Sequence, residues 1–455
     1  MTAVPEMSAF ERRSVLVLTL LYIFRMLGLF MVLPLLTLYG DQYEGSTPVL
    51  MGLALGVYGL SQALLQIPFG LCSDRWGRKP MIALGLLLFA LGSLLAAFSE
   101  SVWGLIAGRA LQGAGAIAGV IMALVGDVTA ERNRSKAMAS IGAAIGVAFA
   151  ISLVLGPLLA SLGGLPLLFV VTAVLALLGL LMLQFGLPEP PKMKVTEPVS
   201  FAHVLANVAL LRLSAAVFTL HFALMAIFVA VPGVLLQTLS LEVTLHWQVY
   251  LPVMLLAFAF MVPAIIWAER AKRHQWVLRG AVGALFLAGV LLWSVGTGWA
   301  GALVLLAGLL LFFIGFNVLE ASLPSMLTRL LSMAQRGAAS GVYSTGQFVG
   351  TFLGGLAGGA LLQLYGVSGV FILLLLLVVL IALVLWRLPP LPEFSTVFVD
   401  VHADRRLAAV AQLSALPGVL EVAISDAGVA SVRVDEKDFQ QERLAALQLD
   451  AAVGL

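Results

Sequence analysis

The sequence predicts an all-α polytopic membrane protein, with twelve transmembrane helices in two six-helix bundles and a small α+β domain at the C-terminus. Three observations predict it. The 455 residues are 61% hydrophobic and 11% charged, with a mean hydropathy of +1.08, far too apolar for a water-soluble domain. Down to Trp386 the chain divides at polar breaks into twelve apolar runs, each near the roughly 20 residues a helix needs to cross a bilayer. After three prolines, Pro389, Pro390 and Pro392, the composition turns charged: residues 394–455 hold nine acids and five bases.

The spans are placed at 14–39, 47–72, 80–98, 102–126, 136–160, 165–187, 209–237, 246–268, 276–296, 299–324, 337–364 and 367–387. The first run is too long for a signal-peptide core and no small-residue cleavage pattern follows it, so it is expected to stay as a helix. Lys and Arg fall before span 1 and after spans 2, 4, 6, 8 and 10, whereas the intervening loops carry Asp41, Glu44, Glu100 and Glu242 and no base. Short cytoplasmic loops retain positive charge. Both termini are therefore expected in the cytoplasm of a cell with this chain in its inner membrane. The single cysteine, Cys72, cannot form an internal disulfide.

Domain limits follow. Residues 1–187 form the first six-helix bundle, the proline-rich stretch 188–208 a cytoplasmic linker, 209–388 the second bundle and 394–455 a cytoplasmic domain. A faint repeat supports duplication: Asp74-Arg75-Trp76-Gly77-Arg78-Lys79 after span 2 has a degenerate echo after span 8, Glu269-Arg270-Ala271-Lys272-Arg273-His274, which lacks the glycine. In the tail, Val397, Val399 and Val401 alternate as on a half-buried strand. A helix follows, with Leu407, Val410, Ala411 and Leu413 or Ser414 facing inward, and then two strands about Asp426-Ala427-Gly428 and a second helix. The order βαββα is that of a ferredoxin-like sandwich.

An ionisable group at the bilayer centre costs on the order of 2.5–3.5 kcal/mol even on the lenient insertion scale, so each one requires a reason. Arg25 in span 1, Arg109 in span 4, His221 in span 7 and Glu320, three residues after Asn317, in span 10 are the deep ones. All four lie on helices 1, 4, 7 and 10, which are equivalent if each half is built from three-helix units, and this predicts one shared polar cavity. Structural readings stand beside the functional ones: Arg25 snorkelling or paired, Arg109 serving helix packing, His221 bonded to a carbonyl. Glu320 is the strongest candidate for binding a proton, since desolvation disfavours the ionised form of an isolated carboxyl. Small residues at four-residue spacing, Gly52 and Gly56, Gly142 and Gly146, and Gly346, Gly350, Gly354 and Gly358, predict close helix approach. The chain has no phosphate-binding loop, metal-protease motif or nucleophile elbow. No enzyme, cofactor, metal or nucleic-acid role is expected.

Gly70, Asp74, Arg75, Gly77, Arg78 and Lys79 fill the main positions of G-x-x-x-D-R-x-G-R-K, and the chain in this respect resembles the major facilitator superfamily. Arg109, Gln112, Gly113 and Gly115 resemble the span-4 motif of its proton-coupled members. Gly142, Gly146, Gly156 and Pro157 resemble the antiporter motif, although Ala160 and Ser161 replace its closing double glycine. With the trailing α+β domain, the chain is similar to the drug/proton antiporter-like branch. The resemblance implies two bundles alternating access around a cavity, and a latch in which Asp74 faces the start of helix 11 near Arg336-Gly337 while Asp127 and Glu131 are available to the arginines. The tail is similar to the heavy-metal-associated ferredoxin-like fold, but His402-Ala403-Asp404-Arg405 stands where that family has CxxC, so cysteine ligation is excluded. A monomeric secondary transporter is expected, exporting small molecules or drugs against protons across the lipid bilayer. Carriage of an anion or organic acid, or membrane sensing through the tail, are the alternatives.

Overall fold

The computed structural model describes residues 7–188, 205–331, 335–388, 394–401, 406–424, 428–435 and 438–439. Most of the linker, residues 402–405, the hairpin residues 425–427 and the expected second tail helix lie outside the described residues. Ten helices among these are long and apolar enough to cross a membrane, but two of them run for 51 and 49 residues. A straight helix of that length would be about 75 Å long against a hydrocarbon core of about 30 Å. Each is bent back by a glycine: Gly164 at φ 65°, ψ −163° in Glu131–Leu181, and Gly366 at φ 65°, ψ −164° in Arg336–Trp386. Only glycine holds that conformation without strain.

Contacts show the reversal. Ser152 donates to the Leu27 carbonyl at 3.3 Å, and Thr172, twenty residues further on, lies against the next residue, Gly28. The ten helices are thus twelve crossings. Spans 1–4 are Ala9–Phe30, Pro48–Trp76, Arg78–Ala97 and the pair Val102–Ala114 and Ala118–Val128; spans 5 and 6 are the limbs of Glu131–Leu181. Spans 7–10 are Val208–Leu239, Trp247–Arg270, His274–Gly296 and Ala302–Leu330, and spans 11 and 12 the limbs of Arg336–Trp386. The end bearing Asp74, Arg78, Glu269 and Arg329 is called the basic end below, and the one bearing Asp41, Glu44, Glu100 and Glu242 the acidic end.

Three spans depart from the uniform helices expected, span 6 by ending in a π-helical turn at Met182–Gly186. Beyond Phe30, span 1 relaxes over residues 31–39 into a mixture of three- and four-residue turns around Pro34, which has no N–H to give. Span 4 breaks at Gly115, where the N–H groups of Ala116 and Ile117 donate back only two residues, to Ala114 and Gly115, at 2.9 and 2.8 Å.

The halves repeat each other beyond the two bends. Arg13 donates to the Gly186 carbonyl at 2.9 Å, joining the start of span 1 to the end of span 6, and Arg212 donates likewise to the Arg387 carbonyl, joining spans 7 and 12. Cations are favoured at such helix C-termini. Gly77 (φ 99°) ends span 2, and Lys272, its counterpart after span 8, also has positive φ (52°).

The tail is a split β-α-β. Strands β1 (Phe394–Asp400), β2 (Val419–Ile424) and β3 (Val429–Asp435) form an antiparallel sheet ordered β1-β3-β2, with a helix at Arg406–Ser414. Val397, Val399 and Val401 are buried as expected. Of the helix residues expected inward, Leu413 is buried and Val410 half-buried, while Ala411 and Ser414 are exposed and Ala409 is buried beside Leu413. An i, i+4 pair suffices to seat so short a helix on the sheet.

Candidate functional site

At the basic end, the loop between spans 2 and 3 turns on Gly77, whose dihedrals (99°, 151°) exclude a side chain without strain. The turn brings Arg78 back onto span 2. Arg78 pairs with Asp74, and donates through Nη1 to Ser73 Oγ at 2.6 Å and through Nε to Asp127 Oδ2 at 3.0 Å. Lys79 donates to the Leu187 carbonyl at 3.2 Å. Asp74 and Arg75 are exposed. The second half has the same device with the charges exchanged: Arg329, at the end of span 10, holds Glu269 at 2.6 and 2.7 Å. The described contacts of the motif thus stay inside the first half, and the side chains of Glu131 and Arg336 lie outside what is described.

The halves meet through spans 2 and 11 and through spans 5 and 8, and among the described glycines of spans 2 and 11 the tightest contacts lie towards the acidic end. A Cβ on Gly52 would strike the Gly355 carbonyl, one on Gly56 would lie 2.5 Å from the Phe352 carbonyl oxygen, and one on Gly59 2.6 Å from that of Phe348. At the basic end the spacing relaxes: Gly341 has Ile67 as its nearest neighbour at 4.0 Å, and around Gly70 there is nothing within 4 Å. Mid-membrane, the aromatic chain Phe30–Phe149–Phe228 crosses from span 1 through span 5 to span 7, with ring centroids 4.9 and 6.5 Å apart.

Behind span 2 lies a buried cationic cluster. Arg25 is 2% exposed; its Nη2 donates to Tyr58 Oη at 2.8 Å and to Gln62 Oε1 at 3.1 Å. Arg109 is fully buried, with its guanidinium 5.2 Å from the centre of the same Tyr58 ring, a cation–π distance. It donates to the Ala54 carbonyl at 3.3 Å and to Gln112 Oε1 at 2.8 Å, and Gln112 continues to Ser93 Oγ at 2.7 Å. No carboxylate contacts either arginine among the described residues.

Behind span 11 lies the acid. Glu320 Oε2 is 3.7 Å from His221 Nε2 and buried with no donor, although about a third of its side chain is open. His221 Nδ1 faces the Val217 carbonyl at 3.2 Å, so this nitrogen carries the proton; Nε2 faces the Gln347 amide at 2.8 Å. Phe316 packs on the imidazole with centroids 5.7 Å apart, and the side chains of Asn317 and Tyr343 each bury an unpaired polar atom.

The Major Facilitator Superfamily profile matches residues 18–321, two thirds of the chain. The chain belongs to that superfamily. It is 41% identical over 441 residues to the inner membrane transport protein YajR of Escherichia coli K12, covering 95% of this chain and 96% of that one. It is 27% identical over 380 residues to multidrug resistance protein 2 of Bacillus subtilis 168, covering 78% and 90%. Its fold is similar to the crystal structure of D-xylose-proton symporter, with a TM-score of 0.70 at 16% identity, covering 84% of this chain and 99% of that one. It is therefore a multi-pass membrane protein of a transporter superfamily.

For a member of the Major Facilitator Superfamily, the placement of the residues singled out by sequence is uneven. The deep ionisable groups do not form one cluster: Arg25 and Arg109 share Tyr58 in the first half, while His221 and Glu320 pair in the second. Arg109 is fully buried where span 4, broken at Gly115, presses its backbone on spans 2 and 3: a Cβ on Gly113 would strike the Tyr58 carbonyl and one on Gly115 that of Gly85. Gly156, next to Pro157, packs on Met31 of span 1, and Gly350 and Gly354 on Phe218 and Phe222 of span 7. Gly142 is exposed with nothing within 4 Å and Gly146 meets only Phe258, at 3.6 Å, so neither supports the close approach expected of it. Sequence reasoning passed over Tyr58, Gln62 and Gln66, a four-residue stripe on span 2, and the similar pair Tyr343 and Gln347 on span 11.

Proposed function

We propose that this chain is a proton-coupled exporter of small organic molecules in the inner membrane, with both termini cytoplasmic, working by alternating access. The observation that supports it most is Glu320: an intramembrane carboxyl oxygen with no donor, beside a histidine, on the helix that carries Asn317. In the ionised state this oxygen is uncompensated, and a proton from either side relieves it, so protonation favours whichever orientation offers no other partner. Contact at the acidic end and separation at the basic end fit the inward-facing member of such a pair. The Gly70–Lys79 motif then acts as a latch, with Asp74 meeting span 11 when the basic end closes. Relatives that include multidrug resistance protein 2 and a tetracycline resistance protein of Pasteurella multocida support export of small organic compounds. Glu320→Gln in proteoliposomes is expected to abolish substrate flux driven by a pH gradient while thermal unfolding stays within a few degrees of wild type. Unchanged flux with unchanged pH dependence refutes the assignment.

Carriage of an anion is a second reading, favoured by the two buried arginines without an acid. Competition between anionic and cationic lipophiles for flux separates the two.

A further inference from the structure

The first half contains two buried guanidinium groups, and from residues 14 to 126 its acids, Asp41, Glu44, Asp74 and Glu100, all lie at span ends. Arginine does not give up its proton in proteins, so this charge cannot be removed by neutralisation. The donors around Arg25 are also unspent. Two of its N–H groups go to Tyr58 and Gln62, while Nε and Nη1 are buried with no acceptor. Gln62, fully buried, turns its Oε1 to Arg25 and leaves Nε2 without an acceptor, and the Tyr58 hydroxyl, which accepts from Arg25, keeps its own hydrogen to give. Over the Tyr58 ring, Arg109 Nη2 is likewise unpaired. Gln66, one turn along, has a buried Oε1 without a donor and bounds the donor-rich stretch at its basic side. Buried polar groups are almost always paired. Here the orphans on Arg25 and Gln62 share one sign: every one is a donor beside a permanent positive charge.

We propose that Arg25, Gln62 and Tyr58 form a binding site for a monovalent anionic group, either a free halide or the carboxylate of a transported solute. The anion accepts from Arg25 Nε and Nη1, Gln62 Nε2 and the Tyr58 hydroxyl, and neutralises a charge that no carboxylate contacts among the described residues. The site names a ligand class for the second functional reading, but it stands whether or not Glu320 couples protons, because none of its residues contacts that group.

The test is thermal unfolding of the full-length protein in detergent, with chloride or acetate exchanged for a bulky sulfonate at constant ionic strength. Chloride and acetate are expected to raise Tm by several degrees, saturably. Arg25→Gln is expected to remove that response. Because this variant can also fail to fold, Gln62→Glu serves as a second: it places a carboxylate beside Arg25 and is expected to raise Tm in the sulfonate buffer and abolish the anion response. Carboxylate flux in proteoliposomes that chloride inhibits identifies the group as substrate; stabilisation without such flux identifies a resident ion, and either supports the site. Wild-type stability independent of the anion, or an undiminished response in Gln62→Glu, overturns it. Loss of proton-driven flux in Glu320→Gln with this response intact separates the two proposals.

Discussion

Gly56→Ala puts a single methyl group where spans 2 and 11 touch. Its Cβ would lie 2.5 Å from the Phe352 carbonyl oxygen and 3.1 Å from the Phe352 Cα, both backbone atoms of a long helix that cannot rotate aside as a side chain can. Ordinary contact begins near 3.4 Å, so the two helices must part by nearly an ångström where they now meet. Overpacking of this kind costs about 1–3 kcal/mol. In the alternating access proposed above, the contact belongs to the state with the acidic end closed, so the cost is expected to fall on that state and to shift the balance towards the opposite one by roughly 5- to 150-fold. Nitroxide labels at Asp41→Cys and Glu242→Cys, one on each half at the acidic end, in a Cys72→Ser background, read the separation by electron–electron double resonance. A longer distance population is expected to grow in Gly56→Ala. Gly70→Ala, at a position with nothing within 4 Å, is expected to change nothing. An unaltered distance distribution in a Gly56→Ala protein of normal stability would refute the reasoning.

Other expectations follow from the same geometry. If Asp74 acts in the proposed latch, Asp74→Asn is expected to enlarge the basic-end-open population, read by labels on the 2–3 and 8–9 loops; an unchanged population would leave the motif with topology alone. Lys272→Gly relieves a left-handed residue and is expected to stabilise by about 1 kcal/mol, whereas Gly77→Ala, held in a conformation only glycine adopts freely, is expected to destabilise by about 1–3 kcal/mol; thermal unfolding compares them. Arg433 donates to the Leu331 carbonyl at 2.8 Å and pairs with Glu421 at 3.2 Å, joining β3 to the end of span 10. Arg433→Ala is expected to speed amide exchange in β3 and around Leu331 together; acceleration confined to β3 would deny the docking.

The apolar spans were legible because hydropathy over twenty residues dwarfs any local detail, and Arg25 and Glu320 because a charge amid such a run has few reasons to be there. Their partners were not. Tyr58, Gln62, Gln112 and Gln347 barely change the hydropathy of their helices, and their importance depends on which face meets which neighbour. The four-residue spacing of Tyr58, Gln62 and Gln66 was a signal within reach. Glycines show the same limit: span 11 carries one row towards span 7, Gly346 to Gly358, and another towards span 2, Gly355 and Gly359, while of the equally spaced Gly142 and Gly146 the first faces open space and the second meets only the tip of Phe258. Grouping the charges by helix number predicted one cavity but not the partners, since side-chain reach across a span is several ångströms: Tyr58 meets both arginines, whereas His221 meets Glu320. The tail helix was misjudged by a fraction of a turn, since so few apolar positions fit more than one inward face.

The bends at Gly164 and Gly366 have a mechanical consequence. Spans 5 and 6 are joined through Gly163 and Gly164 and spans 11 and 12 through Gly366, with no further slack, so displacement of one limb carries the other with it. The loop at residues 41–46 is the contrasting case, a connection with polar residues to spare. Epitopes or fluorescent reporters inserted there leave the levers intact, whereas the same insertion at either bend would uncouple two helices at once.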